Sequence, residues 1–211
     1  MAEYHSNEIA AVVLAGGASS RMGRPKAHMP FLGQPLASRV IARLRPQAAV
    51  VYFNASADDA EAACLGVPLA PDDLRWRGAG PLAGVAAALA KARAGGFAAL
   101  VTAPCDAPFL PLDLVARLAG APVAVAVSAS GPEPMFALWP VAALATVEAA
   151  LASGRASPRA VLESLSAARV SFPAQGGRDP LANVNTAQDF AAAEAAALLE
   201  AEPINPQGRM Q

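Results

Sequence analysis

Short apolar runs alternate with longer segments of helical periodicity along most of the chain. Residues 9–15 (IAAVVLA) are apolar throughout, which is typical of a parallel strand that is buried on both faces. Residues 36–44 carry apolar side chains every three or four positions, which places those side chains on one face of a helix. This alternation is typical of a sheet that helices cover on both faces. The sequence therefore predicts a three-layer α/β/α fold around a mostly parallel sheet.

The other predicted elements continue this alternation, although the second half of the chain is less regular. Further strands are predicted at residues 48–54, 66–70, 97–102, 122–128, 133–139 and 168–172. Further helices are predicted at residues 58–64, 81–93, 112–118, 140–151, 157–165 and 187–201. No connection is long enough to act as a linker, so we expect one domain over residues 1–202 and a disordered tail at residues 203–211.

The charge balance excludes several classes of protein. The 211 residues carry 16 Lys and Arg against 17 Asp and Glu, so nothing in the net charge of −1 favours nucleic-acid binding. A hydrophobic fraction of 55% is too high for a disordered chain, and no uninterrupted apolar run reaches the length of a membrane span. Glu3 and Glu8 stand where a signal peptide would carry Lys or Arg. We therefore expect a cytoplasmic protein that binds neither nucleic acid nor membrane.

A polar loop with adjacent glycines follows the first predicted strand and reads LAGGASSRMGRPK over residues 14–26. Ligands of open α/β sheets bind beyond the carboxyl ends of the strands, where this loop begins. Gly16 and Gly17 allow backbone amides to approach an anion, and Arg21 and Lys26 can neutralise phosphate charge. The spacing fits neither G-x-x-x-x-G-K-[ST] nor G-x-G-x-x-G. The loop thus indicates a phosphate site of another kind, against the alternative of an ordinary glycine-rich turn.

The loop resembles the signature LAGGxSxRMGxxK of the MobA-like nucleotidyltransferases, and further motifs of that family recur in order over about residues 9–195. These are Asn54 at a strand end, Pro71-Asp72, GPLAG at 80–84, PCDAPF at 104–109, PMFAL at 134–138 and NVNTAQD at 183–189. The resemblance implies the Rossmann-like nucleotidyltransferase fold. It is strongest to the guanylyltransferase branch, which implies transfer of GMP from GTP to the terminal phosphate of Mo-molybdopterin, with Mg²⁺ as cofactor. Pyrophosphate is released, and the guanine dinucleotide form of the molybdenum cofactor is made.

The resemblance also implies roles for individual residues of these motifs. The residues implied in catalysis are Arg21, Lys26 and Asp106. The residues implied in nucleotide binding are Leu14, Ala15, Gly16, Gly17, Lys26, Asn54, Asp72, Gly80 and Asp106. The implied metal ligands are Asp106 and Asn185, and Asn183, Arg155 and Arg159 are candidates on the acceptor side. The nucleotide-binding part would span about residues 9–110 and the acceptor-side part about residues 111–202.

Several of these roles have a structural alternative. Asp106 follows a predicted strand and a proline, a location that points a carboxylate toward a hard cation, but an Asp can also cap a helix. Asn185 precedes a predicted helix and is equally suited to a cap. Asp72 and Asp73 compete for one nucleotide contact, and Arg155 and Arg159 are also consistent with a solvated surface.

Alternatives at the level of function also stay open. CTP in place of GTP is one, because Pro25 before Lys26 and Glu133 before Pro134 differ from the guanylyltransferase pattern. A sugar-phosphate nucleotidyltransferase is a second alternative, and a non-catalytic module that delivers the cofactor is a third. We expect a monomer or weak homo-oligomer, with molybdoenzyme-delivery proteins as further candidate partners.

Overall fold

The computed structural model describes residues 4–15 and 25–201 of the chain. The strands are β1 (Ile9–Leu14), β2 (Pro30–Phe31), β3 (Gln34–Pro35), β4 (Val50–Asn54), β5 (Ala99–Pro104), β6 (Ala124–Ser128), β7 (Gly131–Pro140) and β8 (Ala168–Ser171). The α-helices are α1 (Leu36–Leu44), α2 (Pro81–Ala94), α3 (Leu114–Leu118), α4 (Leu144–Ala152), α5 (Pro158–Ser164) and α6 (Ala187–Ala201).

Six strands form the central sheet in the order β4-β1-β5-β7-β6-β8. The pairs β1–β4, β1–β5 and β6–β8 are parallel, whereas β7 runs antiparallel to both of its neighbours. β2 and β3 form a separate two-stranded hairpin. The prediction of a mostly parallel sheet is therefore confirmed, with β7 as the reversed strand. All five other strands of the sheet end at one edge, which we call the carboxyl edge.

Two apolar cores lie on opposite faces of this sheet. One joins side chains of β1 and β5 to α1 and α3, and includes Ile9, Val40 and Leu114. The other joins the alternate side chains of the same strands to α2, α4 and α5, and includes Val12 and Leu89. A smaller cluster packs α6 against the β2–β3 hairpin. The predicted three-layer α/β/α architecture is confirmed, because each core separates the sheet from one layer of helices.

Three predicted elements differ from the structure. The predicted helix at residues 58–64 is a four-residue 3-10 turn, Ala62–Leu65, because Asp59 accepts hydrogen bonds from the amides of Glu61 and Ala62 and so competes with helical pairing. The predicted strand at residues 66–70 is a single bridge between Leu69 and Phe53. Pro68 has no N–H to continue that pairing.

The third difference is at residues 140–151, where the observed helix begins later than the predicted one. Pro140 still pairs with Ala99 as the last residue of β7, and a 3-10 turn, Val141–Ala143, precedes α4. The other predicted strands and helices are present, and their observed ends differ from the predicted ends by at most two residues. Within residues 4–15 and 25–201, no helix combines the length and the apolar character needed to cross a membrane.

Candidate active site

Three polar side chains from distant parts of the sequence meet at the carboxyl edge. The Lys26 ammonium donates to Asp106 Oδ2 at 2.9 Å and to Asn185 Oδ1 at 2.5 Å. Lys26 lies in a 3-10 turn, Lys26–His28, Asp106 lies two residues beyond β5, and Asn185 lies just before α6. The side chains of Lys26 and Asp106 are 18% and 14% exposed, so both still reach solvent. The structure thus brings together one residue from each of three sequence motifs.

Backbone hydrogen bonds hold the segments of Asp106 and Asn185 in place. The amide of Val184 donates to the carbonyl of Asp106 at 2.8 Å, which joins the segment before α6 to the end of β5. The amide of Cys105 donates to the carbonyl of Leu14 at 3.0 Å, which joins the ends of β5 and β1. The backbone therefore fixes the segments that carry Asp106 and Asn185 before any ligand arrives.

Asn185 does not serve as the cap of α6 through its side chain. The cap is Thr186, whose hydroxyl accepts from the amide of Asp189 at 3.1 Å, while the Asp189 carboxylate accepts from the amides of Asn185 and Thr186. This reciprocal arrangement is a capping box. Hydrogen bonds from those two amides hold the pKa of Asp189 below its usual value. The Asn185 side chain is consequently available to Lys26.

Asp106 and Asn185 present two hard oxygen atoms that converge on one point, now taken by the Lys26 ammonium. Carboxylate and amide oxygens are the donors that Mg²⁺ accepts, and Mg²⁺ typically takes only one or two protein ligands beside phosphate and water. Among residues 4–15 and 25–201 there is no group of three or more His, Cys, Asp or Glu side chains arranged to hold a metal. The donor set therefore suits a cation that shares its coordination with a phosphate substrate.

A cavity of about 340 Å³ opens beyond β4, at the same edge of the sheet as this cluster. It is lined by Asn54, Ala55, Ser56, Ala57, Asp58, Pro71, Asp72, Leu74 and Arg77. The Asn54 side chain is buried and donates to the carbonyl of Ala70 at 2.7 Å and to Asp72 Oδ1 at 2.8 Å. The carbonyl of Asn54 accepts from the amide of Ala15 at 3.1 Å. Asn54 thus links the cavity wall to the end of β1.

Gly84 lets α2 pack directly on Asn54. A Cβ atom at residue 84 would lie 2.3 Å from Asn54 Oδ1, which is closer than unbonded atoms can approach, and 3.0 Å from Leu14 Cδ2, which is a tight contact. Gly80, the residue before α2, has a φ of 79°, a left-handed conformation that favours glycine. In the GPLAG motif, Gly84 is therefore required by close packing against Asn54, and Gly80 is favoured by its backbone conformation.

Asp72 and Asp73 lie in different environments. Asp72 lines the cavity and accepts from Asn54, whereas Asp73 caps the 3-10 turn Leu74–Trp76 and pairs with Arg75 at 2.7 Å. The hydrogen bond from the Arg75 guanidinium holds the pKa of Asp73 below its usual value. Of the two carboxylates, Asp72 is the one that a ligand in the cavity can reach.

The remaining sequence candidates are dispersed. Gly16, Gly17 and Arg21 lie outside the described residues, as does most of the loop that carries them. Arg159 donates to the carbonyl of Pro132, the second residue of β7, and so lies at the carboxyl edge beside β6.

Two further candidates have no contact with the cluster. Arg155 is exposed and contacts Ser153 after α4. Asn183 is exposed beside the cluster that contains Asn185. Neither side chain is among those that meet at Lys26.

Cys105, next to Asp106, is not a nucleophile. Burial, together with the negative charge of Asp106, raises the pKa of the Cys105 thiol to about 12. A thiol with that pKa stays protonated at neutral pH, which disfavours a nucleophilic role for Cys105.

One contact near the cluster, between His28 and Asp59, could not be predicted from the sequence motifs. His28 Nε2 lies 2.7 Å from Asp59 Oδ2, and the His28 side chain is only 3% exposed. The partners are 31 residues apart and fall in no common motif. Only the fold could reveal that the residue two positions after Lys26 is anchored to a distant carboxylate.

Comparison with known proteins agrees with this architecture. Residues 11–170 match the MobA-like NTP transferase domain. A molybdenum cofactor guanylyltransferase from Rhizobium meliloti (strain 1021) is 41% identical over 206 residues, which cover 92% of this chain and 94% of the relative. A protein of the same name from Rhodobacter capsulatus is 43% identical over 186 residues, with coverages of 88% and 95%.

A solved structure extends the comparison to the fold. The crystal structure of molybdopterin-guanine dinucleotide biosynthesis protein A from Archaeoglobus fulgidus superimposes with a TM-score of 0.69 at 25% identity. The match covers 90% of this chain and 99% of that one, which confirms the Rossmann-like nucleotidyltransferase fold. The domain match and these relatives together establish that the chain belongs to the family of MobA-like NTP transferases.

Proposed function

We propose that this chain transfers GMP from GTP to the terminal phosphate of Mo-molybdopterin and releases pyrophosphate. A phosphate oxygen of the acceptor forms a bond to the α-phosphorus of GTP. The bond from that phosphorus to the β-phosphate bridging oxygen breaks, and pyrophosphate leaves with its electron pair. The observation that carries the proposal is the convergence of Lys26, Asp106 and Asn185 at the carboxyl edge, in a chain about 40% identical to guanylyltransferases.

Lys26 is proposed to neutralise the charge that develops on the phosphates. Reactions at phosphorus depend on charge neutralisation and in-line positioning more than on covalent catalysis. The Lys26 ammonium reaches solvent and is held by two oxygen atoms. A phosphate that binds the ammonium, or a cation that binds the oxygen atoms, would replace these contacts. Arg21 is proposed to assist from the loop before Lys26, and the amides of Gly16 and Gly17 to bind phosphate oxygens.

Asp106 and Asn185 are proposed to hold Mg²⁺, because their oxygen atoms already converge on a cation. When bound, Mg²⁺ supplies charge neutralisation at the phosphates. The protein's own contribution is to keep the two donors in place through the Val184–Asp106 backbone hydrogen bond and the capping box of α6.

The cavity beyond β4 is proposed to take the nucleoside part of GTP. Asp72 is one of two carboxylates that line the cavity, the other being Asp58, and a carboxylate can accept from the ring N–H and the amino group of guanine. Leu14, Ala15 and Gly80 are proposed to offer backbone groups around it, and Asn54 fixes the orientation of Asp72.

The acceptor is proposed to bind on the other side of the cluster, along β6 and β7. Arg159 supports this assignment because its contact with Pro132 puts a guanidinium at the carboxyl edge there. Asn183 and Arg155 are proposed as further contacts with the acceptor phosphate.

The test is pyrophosphate release by the purified chain with molybdopterin and Mg²⁺, with GTP and CTP compared at equal concentration. We expect release with GTP and at most a small fraction of that rate with CTP. Preference for CTP would make the chain a cytidylyltransferase. Release with neither nucleotide, together with tight molybdopterin binding, would indicate a delivery module instead.

A further inference from the structure

His28 is a buried polar side chain that the proposed reaction does not use. Its ring is 3% exposed and lies 6.3 Å from the ring of Phe53 in β4, beside the apolar core. Its Nδ1 atom has no hydrogen-bond partner among the described residues, so the contact with Asp59 is the polar interaction that holds the ring. A buried polar group with one strong partner is held in a single orientation by that partner.

Asp59 is itself fixed by the backbone. Its Oδ1 atom accepts from the amides of Glu61 and Ala62, both at 3.1 Å, while Oδ2 faces His28. Burial raises the pKa of this carboxyl, but the hydrogen bonds from His28 and from those amides outweigh burial and leave the pKa lowered. The group is therefore a carboxylate, and His28 Nε2 carries the hydrogen between the two atoms.

The pair connects two parts of the site. His28 closes the 3-10 turn that begins at Lys26, and the amide of His28 donates to the carbonyl of Pro25 at 3.1 Å. Asp59 directly follows residues 54–58, which form one wall of the 340 Å³ cavity. The pair is thus a side-chain link between the turn that carries Lys26 and the wall of the cavity.

We propose that His28 and Asp59 are positioning residues that hold the Lys26 turn and the cavity wall at a fixed separation, so that Lys26 faces the phosphates of a nucleotide seated in the cavity. The inference rests on the proposed function for the roles of Lys26 and the cavity and for the identity of that nucleotide. Lys26 is held at its ammonium end by Asp106 and Asn185, and the His28–Asp59 link holds its backbone end. A ligand that displaces the first set of contacts leaves the second intact.

The test compares His28→Leu, which keeps much of the bulk and removes the donor, with His28→Gln, whose amide N–H can take the place of Nε2–H. The measurements are kcat and KM for GTP, the Kd of GTP without acceptor, and Tm. We expect kcat/KM to fall by about tenfold or more in the Leu variant and to stay within about twofold in the Gln variant, because small misplacements of a charged group cost large factors in rate. His5→Leu, at the exposed second histidine, is the matched control and should change none of these values.

Equal kcat/KM in wild type and both variants, with only Tm lowered, would show that His28 merely fills space and would overturn the proposal. If His28→Leu does not fold, Asp59→Asn replaces it. The carboxamide can still accept from Glu61 and Ala62 but binds His28 more weakly, so kcat/KM should fall by about fivefold. An unchanged value would equally overturn the proposal.

If the wild-type chain releases no pyrophosphate from GTP, the proposed function is contradicted. That result does not contradict the positioning role of His28 and Asp59. The pair is then judged by amide hydrogen exchange in the absence of ligand. His28→Leu should accelerate exchange both at residues 26–31 and at residues 55–62, because the link joins the two segments. Unchanged exchange at both would overturn it.

Discussion

Replacing Gly84 by Ala tests whether the contact between α2 and Asn54 determines the shape of the cavity. The added Cβ atom would lie 2.3 Å from Asn54 Oδ1 and 2.8 Å from its Cγ, so the Asn54 side chain has to move by about 1 Å to reach ordinary contact. The hydrogen bonds from Asn54 to Ala70 and Asp72, at 2.7 and 2.8 Å, do not survive such a movement.

The expected loss of stability follows from these contacts. Buried polar groups left without a partner cost about 1–3 kcal/mol each. Alanine in a helix interior recovers about 1 kcal/mol relative to glycine. With two hydrogen bonds lost, we therefore expect Gly84→Ala to lower the free energy of unfolding by about 1–5 kcal/mol, which for a chain of this size corresponds to a Tm about 2–20 °C lower.

The assay is thermal unfolding together with the KM for GTP. We expect KM to rise by about tenfold, because Asp72 loses the hydrogen bond that orients it toward the cavity. Gly120→Ala is the matched control, since a Cβ atom there meets only the carbonyl oxygen of Arg117 at 3.7 Å. A Gly84→Ala variant with the Tm and KM of wild type would refute the steric argument.

Three further predictions concern the cluster and the helix behind it. Lys26→Met should lower kcat by about 10²–10³-fold, because the proposed role of the ammonium is to neutralise charge that develops during the reaction. The same change should leave Tm almost unchanged, because the ammonium is partly solvated. Pyrophosphate release measures the first effect and thermal unfolding measures the second. Asp106→Asn should raise the Mg²⁺ concentration needed for half-maximal activity by about tenfold or more, measured by metal titration, and an unchanged titration curve would contradict the metal assignment. The lowered pKa of Asp189 means that its carboxylate stabilises the fold above the ordinary pKa of 3.8 and that this stability is lost as the pH falls through the folded-state value. Denaturation between about pH 6 and pH 3 should therefore show a decline in wild type that is smaller in Asp189→Asn, with no such difference above pH 6.

The sequence was sufficient to predict the layers of the fold and to name the three residues of the polar cluster, although not their mutual contact. Continuous apolar runs identified the central strands. A strand that is buried on both faces is apolar at nearly every position, so it can be recognised without knowing which strands pair with it. Lys26, Asp106 and Asn185 were identified because each lies in a motif that resembles one of the MobA-like nucleotidyltransferases.

Predictions were wrong where short segments depended on their neighbours. Residues 66–70 are apolar enough for a strand, but prolines within and after the segment leave only one bridge to Phe53. The steric fit of Gly84 on Asn54 and the link between His28 and Asp59 join residues about 30 apart in the chain. Distances of that kind are set by tertiary packing, and no local pattern of residue types encodes them.

The reversed direction of β7 has a consequence for how proteins of this architecture can diverge. Parallel neighbours require a long crossover, whereas β6 and β7 are joined by a tight turn in which Ser128 pairs with Gly131. That turn lies at the carboxyl edge, on the side away from β4. A surface turn tolerates insertion far better than a buried strand does. Lengthening it would therefore add new contacts on the proposed acceptor side without disturbing β1, β4 or β5, so that under the proposed assignment acceptor choice and nucleotide choice can evolve separately.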